Sequence, residues 1–257
     1  VSRAESSPPA ANPQSRSDEI AAELREQILR GRYQPGERLP SERDLALQLH
    51  AHRSSVREAL KRLEQLGLVA IRRGGGTRVV PLHDASLDVI GHMLEMHDLP
   101  DPELVSQLLD VRESLLVGSA RFAVERASAD QIERARELLQ RIGSPSTGDT
   151  EYLTAFADIL QLMAEASRNL VLRIITRSLR MQFLQRLPGD RDTLRPPREV
   201  LVPVADRLEQ ALAARDAVAT ETCVRELLRV HAEHVMKALE RERSRLNDPQ
   251  TRNGKTQ

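Results

Sequence analysis

From residue 83 to residue 246, apolar side chains recur every three or four positions almost without interruption. That spacing puts them on one face of successive α-helices and leaves little room for strands. Four breaks rich in Pro, Gly or Ser interrupt the pattern: Leu99-Pro-Asp-Pro102, Gly143–Gly148, Leu187-Pro-Gly-Asp190 and Leu194-Arg-Pro-Pro197. They divide it into about seven helices, 84–97, 101–127, 129–142, 149–166, 169–186, 198–214 and 216–245. With no internal repeat and no sustained heptad, such helices bury their apolar stripes only against one another, which predicts a compact all-α bundle. Aromatic residues make up 2% of the chain and Trp is absent. The core is therefore built from Leu, Val, Ile and Ala, which suits packed helices better than sheet sandwiches.

The first eighty residues carry a different pattern. Ile20, Leu24 and Ile28 recur at four-residue spacing, with Asp18 and Glu19 in the first turn and Gly31 past the end, which predicts a helix over 17–30. Tyr33–Pro40 holds two prolines and a glycine and reads as an extended turn. Pro40 and Gly36 are expected to shape that turn. Ser41 is placed to cap a short helix ending near Leu49. A third helix is expected over 53–66, with Val56, Leu60 and Leu63 on one stripe and Arg53, Ser54, Arg57, Lys61 and Arg62 on another arc, stopping at Gly67. Leu68–Ile71 and Thr77–Val80 read as two strands joined by Arg72-Arg73-Gly74-Gly75-Gly76. Three helices followed by a basic-tipped hairpin form the winged helix-turn-helix layout, in which the second helix of the pair enters the major groove. The expected fold is thus mainly α: a winged helix-turn-helix over 17–80, a helical domain over 83–246, and disordered tails over 1–16 and 247–257.

The length of 257 residues agrees with two domains. Cys223 is the one cysteine, so neither an intrachain disulfide nor a thiolate zinc site is available. No run of about 18 apolar residues occurs, and Val1–Arg16 lacks the apolar segment of a signal peptide, so a cytoplasmic protein with no membrane partner is expected. Basic and acidic residues balance at 38 each, which excludes a globally basic coat. Locally the balance fails: Arg43, Arg53, Arg57, Lys61, Arg62, Arg72, Arg73 and Arg78 face only Asp44, Glu58 and Glu64 between positions 43 and 78.

An enzyme is disfavoured, because Cys223 lies mid-helix without a spaced His partner and no phosphate-binding glycine loop opens a helix. An effector-blind DNA-binding protein is the other alternative, distinguishable by a ligand-dependent thermal shift.

The runs Gly36-Glu-Arg-Leu-Pro-Ser-Glu-Arg-Asp-Leu45, Arg53-Ser-Ser-Val-Arg-Glu-Ala-Leu60, Leu63-Glu-Gln-Leu-Gly-Leu68 and Arg73-Gly-Gly-Gly-Thr77, in that order and spacing, closely resemble the GntR family of bacterial transcription regulators. Asp110-Val-Arg112 and Ala164-Glu-Ala-Ser-Arg-Asn169 look like the FadR subfamily and its FCD effector domain. The aminotransferase-fused branch needs a far longer chain and a cofactor lysine, and the branch with a mostly β effector domain does not suit the helical remainder.

The resemblance implies a homodimeric, ligand-responsive regulator of double-stranded DNA, a repressor by default, binding a short palindromic operator. Arg43, His52, Arg53, Ser54, Ser55 and Arg57 match positions that contact DNA in the family, and Arg73 and Gly74 match the wing tip. His52 departs from the small polar residue common there. Arg53, at the N-terminus of the third helix, is placed to read guanine, and Ser54 and Ser55 are small enough to let helix N–H groups approach phosphate.

Many FCD domains bind a divalent metal through an Asp, a His one turn later and two further His. Here the first two positions fall at Phe156 and Leu160 and the third near Ala205. His231 and His234 would supply half a site, and Asp158 is off register. No metal and no other cofactor is therefore expected. Instead Arg112, Phe156, Leu160 and Phe183, with Met163 and Leu227, are expected to line an effector pocket for an acyl-CoA, fatty acid or organic acid. Asn169 is expected to cap or kink a helix junction.

Overall fold

The computed structural model describes residues 13–184 and 195–247, with side chains over 16–179 and 195–246. The chain divides into two compact units, Val1–Met93 and Leu94–Gln257. Ten α-helices and one two-stranded sheet are found among the described residues.

The first unit begins with α1 (Pro13–Leu29), which starts four residues earlier than its apolar spacing predicts. Proline is tolerated in the first helical turn, where its missing N–H has no partner to lose. Arg16, counted with the tail by sequence, donates through Nη2 to the Leu49 carbonyl at 2.6 Å. Residues 1–12 and 248–257, the rest of the two expected tails, lie outside the described residues. α2 (Glu42–Gln48) is capped by Ser41, whose Oγ accepts from the Asp44 amide at 3.2 Å. α3 (Arg53–Gln65) buries Val56, Ala59, Leu60 and Leu63 against α1 and α2. Gly67, past its end, has φ 69, a left-handed conformation suited to a residue without Cβ.

Strands β1 (Val69–Arg72) and β2 (Gly76–Val79) pair antiparallel, with Val69 opposite Val79 and Arg72 opposite Gly76. Each lies one residue toward the tip from its predicted position. Ile20, Leu24 and Ile28 of α1, Leu45 of α2, the α3 stripe, and Leu68, Val69 and Val79 of the hairpin form one core. Truncating a leucine such as Leu63 there costs about 2–5 kcal/mol.

After a short 3-10 turn (Leu82–Asp84) come α4 (Asp88–Leu94), α5 (Pro102–Arg126), α6 (Ala129–Gly143), α7 (Asp149–Ala166), α8 (Leu170–Leu184), α9 (Arg198–Ala213) and α10 (Ala217–Asn247). α5 and α10 form the most extensive pair, with α7 and α8 on α5, α9 on α10, and α6 joining α7 to α9. Caps written in the sequence set several starts. Asp101 caps α5 ahead of Pro102, and Ser128 with Gln131 forms a reciprocal capping box on α6. Asn169 does the expected work at a helix junction: its Oδ1 accepts from the Leu172 amide at 3.1 Å, opening α8. None of the described helices is long and apolar enough to cross a membrane.

Candidate nucleic-acid interface and effector-side cluster

The turn from α2 to α3 passes through His50 at φ 48 and ends on His52, the extended residue before α3. The His52 side chain is exposed and makes no cap bond, so it is available to a ligand in front of the helix. Arg53, Ser54 and Arg57 are exposed on the same end of α3, and Arg43 is exposed on α2. The first-turn N–H groups of α3 and the positive end of its dipole face the same side, a setting that favours phosphate.

Ser55, by contrast, is 6% exposed and faces the core with Val56. The helical period turns it 100° from Ser54, so only its backbone amide remains for a phosphate. Arg57 is held across the helix pair by Glu42, Nη2 to Oε2 at 3.1 Å. Hydrogen bonding to Glu42 and its charge keep that guanidinium even more firmly protonated than usual. A phosphate approaching Arg57 therefore competes with Glu42.

Arg72, Arg73, Gly74 and Gly75 are exposed at the hairpin tip. Sequence reading missed what lies beside it. Residues 36–39, which Gly36 and the flanking prolines predict to be a turn, run along β2: the Leu39 amide donates to Thr77 O and the Val79 amide to Glu37 O, both at 2.9 Å, and Arg38 bridges to Arg78. The Arg38 guanidinium covers Gly76, where an added Cβ would lie 2.7 Å from its Nη2. Gly76 has φ 76, a conformation that favours glycine, while moving the flexible Arg38 side chain aside would relieve the crowding. Arg78 donates to Gly36 O at 2.8 Å. Arg38 thus adds a cation to the wing that the proline-bracketed segment concealed.

In the second unit, four residues meet around the expected effector position. Phe156 is buried and stacks on His231, with ring centroids 4.0 Å apart and planes at 19°. His231 is 2% exposed, and its Nδ1 is 3.1 Å from the Tyr152 hydroxyl. Arg112 lies over the Phe156 ring at 5.7 Å. Arg112 as a whole keeps partial exposure, but its Nε is shut off from solvent. Desolvation lowers its pKa to about 10, so it is still a cation at neutral pH. Burial first, then the Arg112 charge, depress the His231 pKa well below the imidazole range, and this histidine is neutral. Burial raises the Tyr152 phenol.

Leu160 is half-buried and Leu227 buried on the same bundle. The Phe183 side chain lies outside the described residues. Sequence reading missed Tyr152 and Arg195. Arg195 sits 5.5 Å over the Tyr152 ring and donates to the carbonyls of Ile142, Ser144 and Thr147 around the end of α6. The tyrosine has no helix-face signature that separates it from core aromatics.

The residues do not fit the metal that many FCD domains hold. Phe156 occupies the first ligand position with a carbon ring, and His231 spends Nδ1 on Tyr152. No three His, Cys, Asp or Glu side chains converge among the described residues. Tetrahedral or octahedral binding needs more donors than this. Cys223 is buried, and burial raises its thiol pKa, the reverse of what activates a nucleophile.

A basic-ended second helix beside a basic hairpin defines a winged helix-turn-helix protein, here with a separate all-α domain. Residues 16–79 match bacterial regulatory proteins of the gntR family and residues 107–230 match the FCD domain, so the chain carries a GntR helix-turn-helix domain followed by an FCD domain. It is similar to the HTH-type transcriptional regulator LutR of Bacillus subtilis, 37% identical over 147 residues, covering 57% of this chain and 65% of that protein. It is also similar to the Uxu operon transcriptional regulator of Escherichia coli, 36% identical, covering 54% and 56%. The match therefore spans 56–65% of the length of these two curated relatives, which are regulators and not enzymes. Among solved structures, Lar, described as controlling expression of the Listeria monocytogenes agr system, matches with a TM-score of 0.53 at 16% identity, covering 86% of this chain and 96% of that one. That likeness bears on the fold.

Proposed function

We propose that this protein is a ligand-responsive transcription regulator of the FadR subfamily of GntR proteins. It acts in the cytoplasm as a homodimer on a short palindromic operator and represses by default. The observation that carries this reading is the exposed N-terminal end of α3, with His52, Arg53, Ser54 and Arg57 beside Arg43, next to a hairpin tipped by Arg73 and Gly74. A short, positively charged helix end reads base edges, while the wing and the N–H groups hold phosphates. Two-fold symmetry in the protein then selects two-fold symmetry in the DNA.

The FCD domain serves as the sensor. Its ligand carries an anionic head toward Arg112 and an apolar body near Phe156 and Leu160, the chemistry of an acyl-CoA, a fatty acid or another organic acid. The test is selection of binding sequences from random duplexes, followed by footprinting. An inverted repeat with half-sites about one helical turn apart or closer supports the reading. Recovery of no sequence above the random pool overturns it.

A further inference from the structure

Toward the C-terminal end of α5 from Arg112, five helices leave a space between them. It is lined by Ala120 and Ala123 of α5, Ala135 of α6, Met163 of α7, Leu208 of α9 and Thr220 of α10, among others. The inner cavity measures about 30 Å³, in a cleft whose whole empty volume out to solvent is about 400 Å³. The alanines make the room: Ala123, Ala127 and Ala166 form a small cluster of their own with Ile132 against them, where bulkier residues would close the gap. Thr220 is 1% exposed, and its Oγ1 has no hydrogen-bond partner among the described residues. A threonine inside a helix can return its hydroxyl to the carbonyl four residues back, as Thr154, Thr176 and Thr222 do, but the Thr220 hydroxyl does not. A buried hydroxyl left unpaired is costly, so it marks a place where a partner belongs.

We propose that this cleft is a second ligand site, distinct from the Arg112 cluster, that takes a small neutral molecule with one uncharged polar group. Ala120 and Ala123 stand two to three turns beyond Arg112 on α5, about 12–17 Å along the axis. Neither Tyr152, Phe156 nor His231 lines the cleft. None of its lining residues is charged, so a carboxylate would lose its hydration with no cation to replace it. An alcohol or amide gives up less hydration than a carboxylate and can pair one polar atom with the Thr220 hydroxyl, its remaining polar atoms facing the open cleft. The inner volume holds two or three waters or about four heavy atoms, with any longer tail directed into the open cleft.

Met163, which its sequence position groups with the effector pocket, lines this cleft and supplies a local probe. The full chain, labelled on its methionine methyls and assigned with Met163→Leu, is titrated with propionamide, 1-propanol and propionate. Saturable movement of the Met163 methyl is expected with the amide and the alcohol and not with propionate. Thr220→Val, which keeps the shape and removes the hydroxyl, weakens propionamide about tenfold. Ala123→Val, which narrows the cleft, abolishes the shift, and Arg112→Ala leaves it unchanged, so failure here is separable from failure of the effector pocket. No saturable Met163 shift up to about 50 mM overturns the site. So does a shift that survives both cleft variants. A melting temperature that falls in Thr220→Val while Met163 stays silent assigns the hydroxyl to a resident water and also overturns it.

Discussion

Arg53 and Lys61 share the exposed arc of α3, yet they are expected to act on different parts of the binding free energy. Arg53 stands in the first turn, where a bidentate contact to guanine discriminates by about 1–3 kcal/mol. Arg53→Ala should lose affinity for the operator and little for random DNA. Lys61 is two turns further on, paired with Glu58 at 2.9 Å on the exposed surface. Its replacement by Ala should flatten the salt dependence of binding by about one unit on every sequence. Binding isotherms on both DNAs across a salt series separate the two, and equal losses for Arg53→Ala on operator and random DNA would remove its base-reading role. At the other functional end, His231 makes stability depend on pH. Its folded pKa is depressed, so below the ordinary imidazole value of about 6.5 the unfolded chain binds a proton that the folded chain refuses. Its contribution is therefore fully present above about pH 6.5 and is lost as pH falls below it, by up to about 1.4 kcal/mol per unit. Chemical denaturation between pH 7.5 and 5.5 should show this slope, and His231→Gln should remove that part of it. Arg53 and Arg112 were legible as candidates from the sequence; Tyr152 was not, because its role comes from touching His231, 79 residues away.

At the scale of elements, periodicity located every helix of the second unit, and the caps at Ser41, Asp101 and Ser128 are local signals that a sequence displays openly. Ends were less legible. α1 starts one turn early, and Arg16 in that added turn reaches the Leu49 carbonyl, a tertiary contact. The ribbon at 36–39 looked like a turn because prolines bracket it, and only its hydrogen bonds to β2 make it part of the wing. That ribbon yields a prediction. Gly76→Ala puts a Cβ into the Arg38 guanidinium and forces an alanine to positive φ. It should cost about 1–2 kcal/mol and displace Arg38 from the wing. Hydrogen exchange should show faster opening of the hairpin amides and DNA binding should weaken, with α5–α10 protection unchanged. Unaltered DNA affinity would mean that Arg38 serves the hairpin alone.

For the molecule as a whole, the proposed function puts sensing and reading in separate parts of the chain, and the variants should dissociate accordingly. Arg112→Ala is expected to weaken effector release of DNA while leaving effector-free operator binding intact. Gel-shift titration with acyl-CoAs, fatty acids and dicarboxylates checks this on both proteins. Loss of DNA binding by the mutant without ligand would make Arg112 a structural residue, and release by small dicarboxylates alone would contradict the apolar pocket. Chelator-treated protein should melt at the same temperature as untreated protein, because the Phe156–His231 stack and the Tyr152 bond occupy the place where donors would converge. Retention of about one zinc or nickel per chain, with a lower melting temperature on its removal, would reverse that conclusion.

The sequence alone determined the succession of elements and the basic character of α3 and the hairpin tip. Helical period, caps and turn residues are local, and the arginines of α3 and the wing lie close together in the chain. Tertiary structure decided which side chains share a space. It turned Ser55 inward, brought Arg38 onto Gly76, joined Arg112, Tyr152, Phe156 and His231 into one cluster, and left Thr220 facing a cleft between five helices. Periodicity gives the face of a helix that is buried but not the neighbour it meets, because helix packing brings together residues that no local spacing relates.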